Sequence, residues 1–118
     1  MRDGHYNIWG PVHFYTRITN GQPSDAAGAL VTHFVLPRLE DSLLDAITDI
    51  GFVPPCAMNV ARDAEMGALS AFEPDFQCGC YFDNRLAGQP PAGCQACISS
   101  ADCPSTLPAC NKGFCEKK

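Results

Sequence analysis

The chain has 118 residues, enough for one domain and at most a small appendage. Its 46% hydrophobic content excludes wholesale disorder, and its 18% charged residues fall below the roughly 25% of an average domain. The net charge of −5 argues against a nucleic-acid surface, which needs clustered Lys and Arg, and equally against anionic lipid; no apolar run reaches the ~18–20 residues that span a bilayer.

Residues 6–18 are rich in aromatic and β-branched side chains (Tyr6, Ile8, Trp9, Val12, Phe14, Tyr15, Ile18), and Val12, Phe14 and Thr16 alternate as in an extended strand. Gly10-Pro11 interrupts that run, because proline cannot donate to a ladder. Asn20-Gly21 marks a turn. A helix is then expected from Pro23 or Ser24. Asp25 suits its positive end, and Ala27, Leu30, Val31, Phe34 and Val35 form one apolar stripe until Pro37 stops it.

A second helix, about 39–50, places Leu39, Leu43, Leu44, Ile47 and Ile50 on one face and Glu40, Asp41, Asp45 and Asp49 on the other. Gly51 stands where a left-handed cap belongs. The stretch 56–69 is ambiguous: residues 62–66 suit a short helix that Gly67 weakens. Phe76, Cys78, Cys80 and Phe82 alternate with Gln77, Gly79 and Tyr81, which reads as a strand. Gly88-Gln89-Pro90-Pro91-Ala92-Gly93 reads as a linker, and residues 94–118 have almost no apolar periodicity.

Eight cysteines dominate the composition: Cys56, Cys78, Cys80, Cys94, Cys97, Cys103, Cys110 and Cys115. An even number, densely clustered, reads as a disulfide framework, which persists in oxidising compartments. Without such ties the tail from Cys94 onward has too few large apolar side chains to offset its ordering entropy. If Cys78 and Cys80 share one face of a strand, one ties back to Cys56 and the other forward to Cys94. Met1-Arg2-Asp3-Gly4-His5-Tyr6-Asn7 is not a signal peptide. The expectation is therefore a C-terminal part of a longer exported precursor; a removed signal, or cytoplasmic metal-binding cysteines, are the alternatives.

Sharper chemistry finds less support in the spacing. Zinc wants two knuckle-like pairs; Cys94-x2-Cys97 supplies one, Cys110-x4-Cys115 is looser, and Cys103 is left over. A redox pair at Cys94 and Cys97 lacks the strand-to-helix context, and Ile98 replaces the histidine that covalent haem requires. His5, His13 and His33 stand in no catalytic pattern with Ser, Cys or Asp. The carboxylates of the second helix are spaced as a solvated face, and Trp9, Tyr6 and Tyr15 read as core before they read as a ligand platform. No catalytic, cofactor or metal site is expected.

Two resemblances add to this. Cys97, Asp102-Cys103, Cys110 and Cys115 resemble small four-cysteine modules of secreted proteins, whose bonds interleave; that resemblance implies Cys97–Cys110 and Cys103–Cys115. Upstream, Tyr6-Asn7-Ile8-Trp9-Gly10-Pro11-Val12-His13-Phe14, the following turn and helices, and the ending Ile50-Gly51-Phe52-Val53-Pro54 resemble the C-terminal part of type 2 periplasmic solute-binding proteins of the phosphate-binding branch. The resemblance covers about residues 4–69. Asn7 stands where that family has proline, and the cysteine-rich tail is foreign to it. It implies an extracytoplasmic fragment that binds a small solute or oxyanion only within its full-length parent, working with a membrane import complex. The family's oxyanion-binding residues lie mostly upstream, so none is carried over. The expected architecture is α+β: residues 1–70 a partial α/β substrate-binding domain (strand, two helices, extended segment), 71–87 a strand or hairpin tied by disulfides, 88–93 a linker and 94–118 a disulfide-rich module. A self-contained disulfide-rich structural or interaction domain is the alternative.

Overall fold

A computed structural model describes residues 2–5, 10, 13, 15–35 and 39–118, without the side chains of Thr32, Phe34 and Val35. Most of the expected strand at 6–18 lies outside the described residues. What is described is a small mixed α and β structure with three two-stranded antiparallel sheets and three α-helices.

Asn20 and Gly21, both with positive φ, turn the chain between β1 (Ile18–Thr19) and β2 (Gln22–Pro23), the conformation a two-residue hairpin turn demands. Helix α1 (Asp25–Val35) follows. The Ser24 hydroxyl accepts a hydrogen bond from the Ala27 amide at 3.3 Å, satisfying one of the amides left free at a helix start. Leu30 and Val31 of its apolar stripe are exposed.

Helix α2 (Asp41–Asp49) ends at Ile50, after which Gly51 takes φ +84°, a conformation that costs any side-chain-bearing residue. Its inner face contributes Leu44, fully buried with Ala57, Cys78 and Phe82; Leu39, Val53, Cys56, Phe76 and Tyr81 close around that cluster. Burying a side chain such as Leu44 or Phe82 contributes about 1.5–3 kcal/mol. Thr48 sits on the same face with no exposed surface, and its hydroxyl has no hydrogen-bond partner among the described residues.

Pro54 and Pro55 lead into a 3-10 turn, Pro55–Ala57. Strands β3 (Val60–Arg62) and β4 (Leu69–Ala71) then form a hairpin in which Val60 faces Ala71. Residues 63–68 between them are a loop with Met66 at φ +58°, so the short helix considered for 62–66 is replaced by a turn. The first residues dock here. Arg2 accepts the Asn59 amide on its carbonyl, pairs with Asp83, and lies 5.8 Å from the centre of the Phe82 ring.

The expected strand across Phe76 to Phe82 is corrected: residues Gly79–Ala87 form α3. Phe76, Cys78, Cys80 and Phe82 satisfy a two-residue period, but Cys78 and Phe82 are also four apart. A strand would put Cys80 on that same face; the helix brings Cys78 and Phe82 into the core together while Cys80 turns away toward Cys94. The Cys78 amide bonds the Cys56 carbonyl at 2.9 Å, fixing the entry. Gly88, at φ +71°, ends the helix by donating to the Asn84 carbonyl at 2.8 Å. Helices α2 and α3 run side by side in the same direction, since Asp45 meets Tyr81 while Asp49, one turn on, meets Arg85.

In the tail, β5 (Ala109–Asn111) and β6 (Phe114–Glu116) pair across the Lys112-Gly113 turn, both of whose residues have positive φ. Ala96 adds to β6 opposite Phe114 as a third, one-bridge strand.

Candidate interaction surface

Four disulfide bonds use every cysteine, leaving no free thiol. Cys56 is joined to Cys78, Cys80 to Cys94, Cys97 to Cys110 and Cys103 to Cys115, with Cα separations of 5.2, 5.7, 5.9 and 5.5 Å. All four separations lie within the span a disulfide bridges without backbone movement. Cys78 and Cys80 reach opposite partners because Cys78 precedes α3 and faces the core, whereas Cys80 lies in its first turn and turns toward the tail. The same residues read on a strand would share a face.

The Cys80–Cys94 bond is reinforced by polar ties between α3 and the tail. The Glu116 carboxylate accepts the Cys80 amide at 2.8 Å. Cys78 provides no side-chain cap, so a residue of β6 caps the helix start instead, its negative charge matched to the positive end of the dipole. The Asn111 side-chain amide donates to the Gln77 carbonyl at 2.9 Å and also to the Lys118 carbonyl, and the Gln77 amide donates to that same Lys118 carbonyl at 2.9 Å. Lys112, almost fully buried along its stem, pairs with Asp41 at the start of α2. The tail is thereby held to both helices.

On the outer side of the tail one turn presents Ile98 with 99% of its surface exposed. Its backbone is nevertheless fixed. The Asp102 carboxylate accepts the Ile98 amide at 2.9 Å and the Ser99 amide at 2.8 Å, and Ser99 with Asp102 forms a reciprocal capping box over the 3-10 turn Ser100–Asp102. The Ser99 and Ile98 amides hold the Asp102 carboxyl below the ordinary carboxylate range. Cys97 anchors the other side, its amide donating to the Gly113 carbonyl at 2.9 Å. An apolar side chain is thus displayed on a backbone with little freedom.

A second polar cluster joins α2 and α3. Arg85 makes a forked contact with Asp49, Nε to Oδ1 at 2.6 Å and Nη2 to Oδ2 at 2.9 Å, and reaches Asp45 at 3.4 Å. The Arg85 hydrogen bond holds the Asp49 carboxyl below its usual range, and Asp49 raises the guanidinium in return. Tyr81 donates to Asp45; partial burial, then that hydrogen bond, pushes its phenol up to about 12. The carboxylates expected as a solvated face therefore include three with cationic partners, Asp41, Asp45 and Asp49.

Two of the three histidines have an exposed glutamate for a charged partner: His13 with Glu65 at 3.6 Å and His33 with Glu40 at 3.3 Å. His13 also lies 6.2 Å from Tyr15, ring centre to ring centre. Tyr6 and Trp9 fall outside the described residues. Both the pinned Ile98 turn and the borrowed Glu116 cap were missed from sequence. The Ser99-x-x-Asp102 spacing signals the first; nothing local signals the second.

Four cysteine pairs fit an oxidising, extracytoplasmic environment, and no helix among the described residues is long and apolar enough to cross a membrane. No family model matches the chain, and neither does a curated protein or a solved structure.

Proposed function

We propose that this chain is an exported, non-catalytic, disulfide-stapled module that presents a rigid surface to a partner protein. The observation that carries the reading is the placement of the cross-links. One bond, Cys56–Cys78, closes the α2–α3 core, a second, Cys80–Cys94, locks that core to the tail, and two interleaved bonds lock the tail around a turn that exposes Ile98. A backbone already held before binding loses little freedom on association, which is what preorganisation contributes to affinity. Ser99, Ser100 and Asp102, exposed in the same turn, set polar groups beside an apolar anchor, the kinds of group that make the rim and centre of protein interfaces.

The test is site-specific photo-crosslinking in the exporting cell. A photoreactive residue at position 98 is expected to trap one discrete protein, while the same residue at the exposed position Met66 on the β3–β4 turn traps none. Equal labelling from both positions would sink the proposal.

A second reading, the C-terminal part of a phosphate-type solute-binding protein serving an import complex, is carried by the resemblance over residues 4–69. The strand pairs among the described residues are all antiparallel and two-stranded, so the resemblance stands alone for it. Continuous coding sequence upstream, with a signal peptide and alternating strands and helices, supports that parentage; an in-frame stop directly upstream removes it.

A further inference from the structure

The two tail bonds bring their sulfurs together as well as in pairs. The Sγ atoms of Cys97, Cys103 and Cys115 all lie within 4.8 Å of one another, and the fourth sulfur, that of Cys110, is bonded to Cys97. We propose that, once both tail disulfides are reduced, Cys97, Cys103, Cys110 and Cys115 form a single four-thiolate site for a soft divalent metal, zinc(II). In the oxidised protein the same sulfurs are bonded to one another and cannot serve.

The geometry favours the exchange. A tetrahedral zinc–thiolate centre has Zn–S bonds of about 2.3 Å, which sets its sulfurs about 3.8 Å apart. The Cys97 sulfur therefore needs to close on those of Cys103 and Cys115 by only about 1 Å at most, and the two bonded pairs need to open by about 1.8 Å. Interleaving matters here. Each bond joins one sulfur from the 97–103 segment to one from the β5–β6 hairpin, so all four sulfurs lie between those two segments. Reduction leaves two chelating pairs facing each other.

Hydrogen bonds tie the same segments together in the oxidised protein, so the metal, in place of the two disulfides, would hold an arrangement the backbone already supports. Cys110 stands opposite Cys115 in the β5–β6 register, closed by the Lys112-Gly113 turn. The Cys97 amide donates to Gly113, the Cys115 amide to the Gln95 carbonyl at 2.8 Å, and Cys103 follows the capped Ser100–Asp102 turn. Cys115 is buried while Cys97, Cys103 and Cys110 are partly exposed, which gives both a dry ligand set and a path for the ion. The remaining cysteines offer no such arrangement, since Cys56–Cys78 lies in the core and Cys80–Cys94 spans α3 and the tail.

The chemistry balances with a phosphine as reductant. Each disulfide takes two electrons from one phosphine and two protons from one water, whose oxygen leaves as phosphine oxide. Zinc(II) then displaces the four thiol protons to give a doubly negative metal centre, so uptake becomes tighter as pH rises.

Full-length protein reduced anaerobically with a phosphine and titrated with cobalt(II) tests this. The expected result is saturation at one equivalent, with sulfur-to-cobalt charge-transfer bands and the d–d bands of tetrahedral coordination, both abolished by one equivalent of zinc. A variant with Cys56, Cys78, Cys80 and Cys94 all changed to Ser keeps the bands; one with Cys97, Cys103, Cys110 and Cys115 changed to Ser loses them. Cys103→Ser alone shifts the spectrum toward a three-sulfur site, a readout that does not require the quadruple variant to fold. Bands that persist in the tail variant, an unchanged Cys103→Ser spectrum, or no saturation by one equivalent would each overturn the proposal.

Discussion

Removing the Cys56–Cys78 bond by changing both cysteines to alanine is expected to destabilise the protein more than removing the Cys97–Cys110 bond of the tail. Chain entropy alone does not predict this. The four bonds close separations of 22, 14, 13 and 12 residues, and the logarithmic dependence on loop length makes each contribute about 3 kcal/mol. What distinguishes the first from Cys97–Cys110 is burial. Cys78 has no exposed surface and packs with Leu44, Ala57 and Phe82, whereas Cys97 and Cys110 are both partly exposed. Deleting two sulfurs from the core adds a transfer and cavity cost of about 1–2 kcal/mol. The total of about 4–5 kcal/mol is a large share of the roughly 5–15 kcal/mol that holds a domain together. Guanidinium denaturation without reductant, followed by far-ultraviolet circular dichroism, measures it. C56A/C78A should lose about 1–2 kcal/mol more than C97A/C110A. Equal losses, or a larger loss for the tail variant, would refute the assignment of Cys56–Cys78 to the hydrophobic core.

Three further outcomes follow from particular contacts. Glu116→Gln keeps the shape of the cap on α3 but removes its charge and should cost about 1 kcal/mol, with Glu116→Ala costing more, as read from the denaturation midpoint. Thr48→Val replaces a buried hydroxyl without a partner by an isosteric methyl and should stabilise by about 1 kcal/mol; a loss of stability would mean that the hydroxyl is satisfied. Tyr81 should ionise near 12, so the contribution of its neutral form is fully present below 10, the ordinary tyrosine value, and is lost as pH rises through about 12. Ultraviolet titration of Asp45→Asn should bring that phenol part of the way down, the burial component remaining.

The sequence displays most clearly what depends on local pattern. Helices α1 and α2 follow the spacing of their apolar residues, and the turns at Asn20-Gly21 and Gly51 follow from residues that tolerate positive φ. Cysteine richness reads directly as a disulfide framework. Helix α3 was hidden because four alternating residues fit a strand and because the cap that starts the helix, Glu116, lies 36 positions away from the Cys80 amide it binds. The Ile98 turn was overlooked for a different reason, although the Ser99-x-x-Asp102 spacing of a capping box marks it. Its order comes from one carboxylate, Asp102, gathering two amides, and periodicity carries no trace of such a contact. Burial of the core was equally nonlocal: Leu44 and Phe82 meet through a bond between Cys56 and Cys78 that neither helix contains.

The most direct measurement is disulfide mapping of the native, unreduced protein, with partial reduction and alkylation in acid to separate Cys78 from Cys80. Peptides linked as Cys56–Cys78, Cys80–Cys94, Cys97–Cys110 and Cys103–Cys115, with no alkylated cysteine before reduction, are the predicted result. Free thiols in the native protein, or a link within the Cys97/Cys103 or Cys110/Cys115 pairs, would contradict the interleaved, stapled architecture.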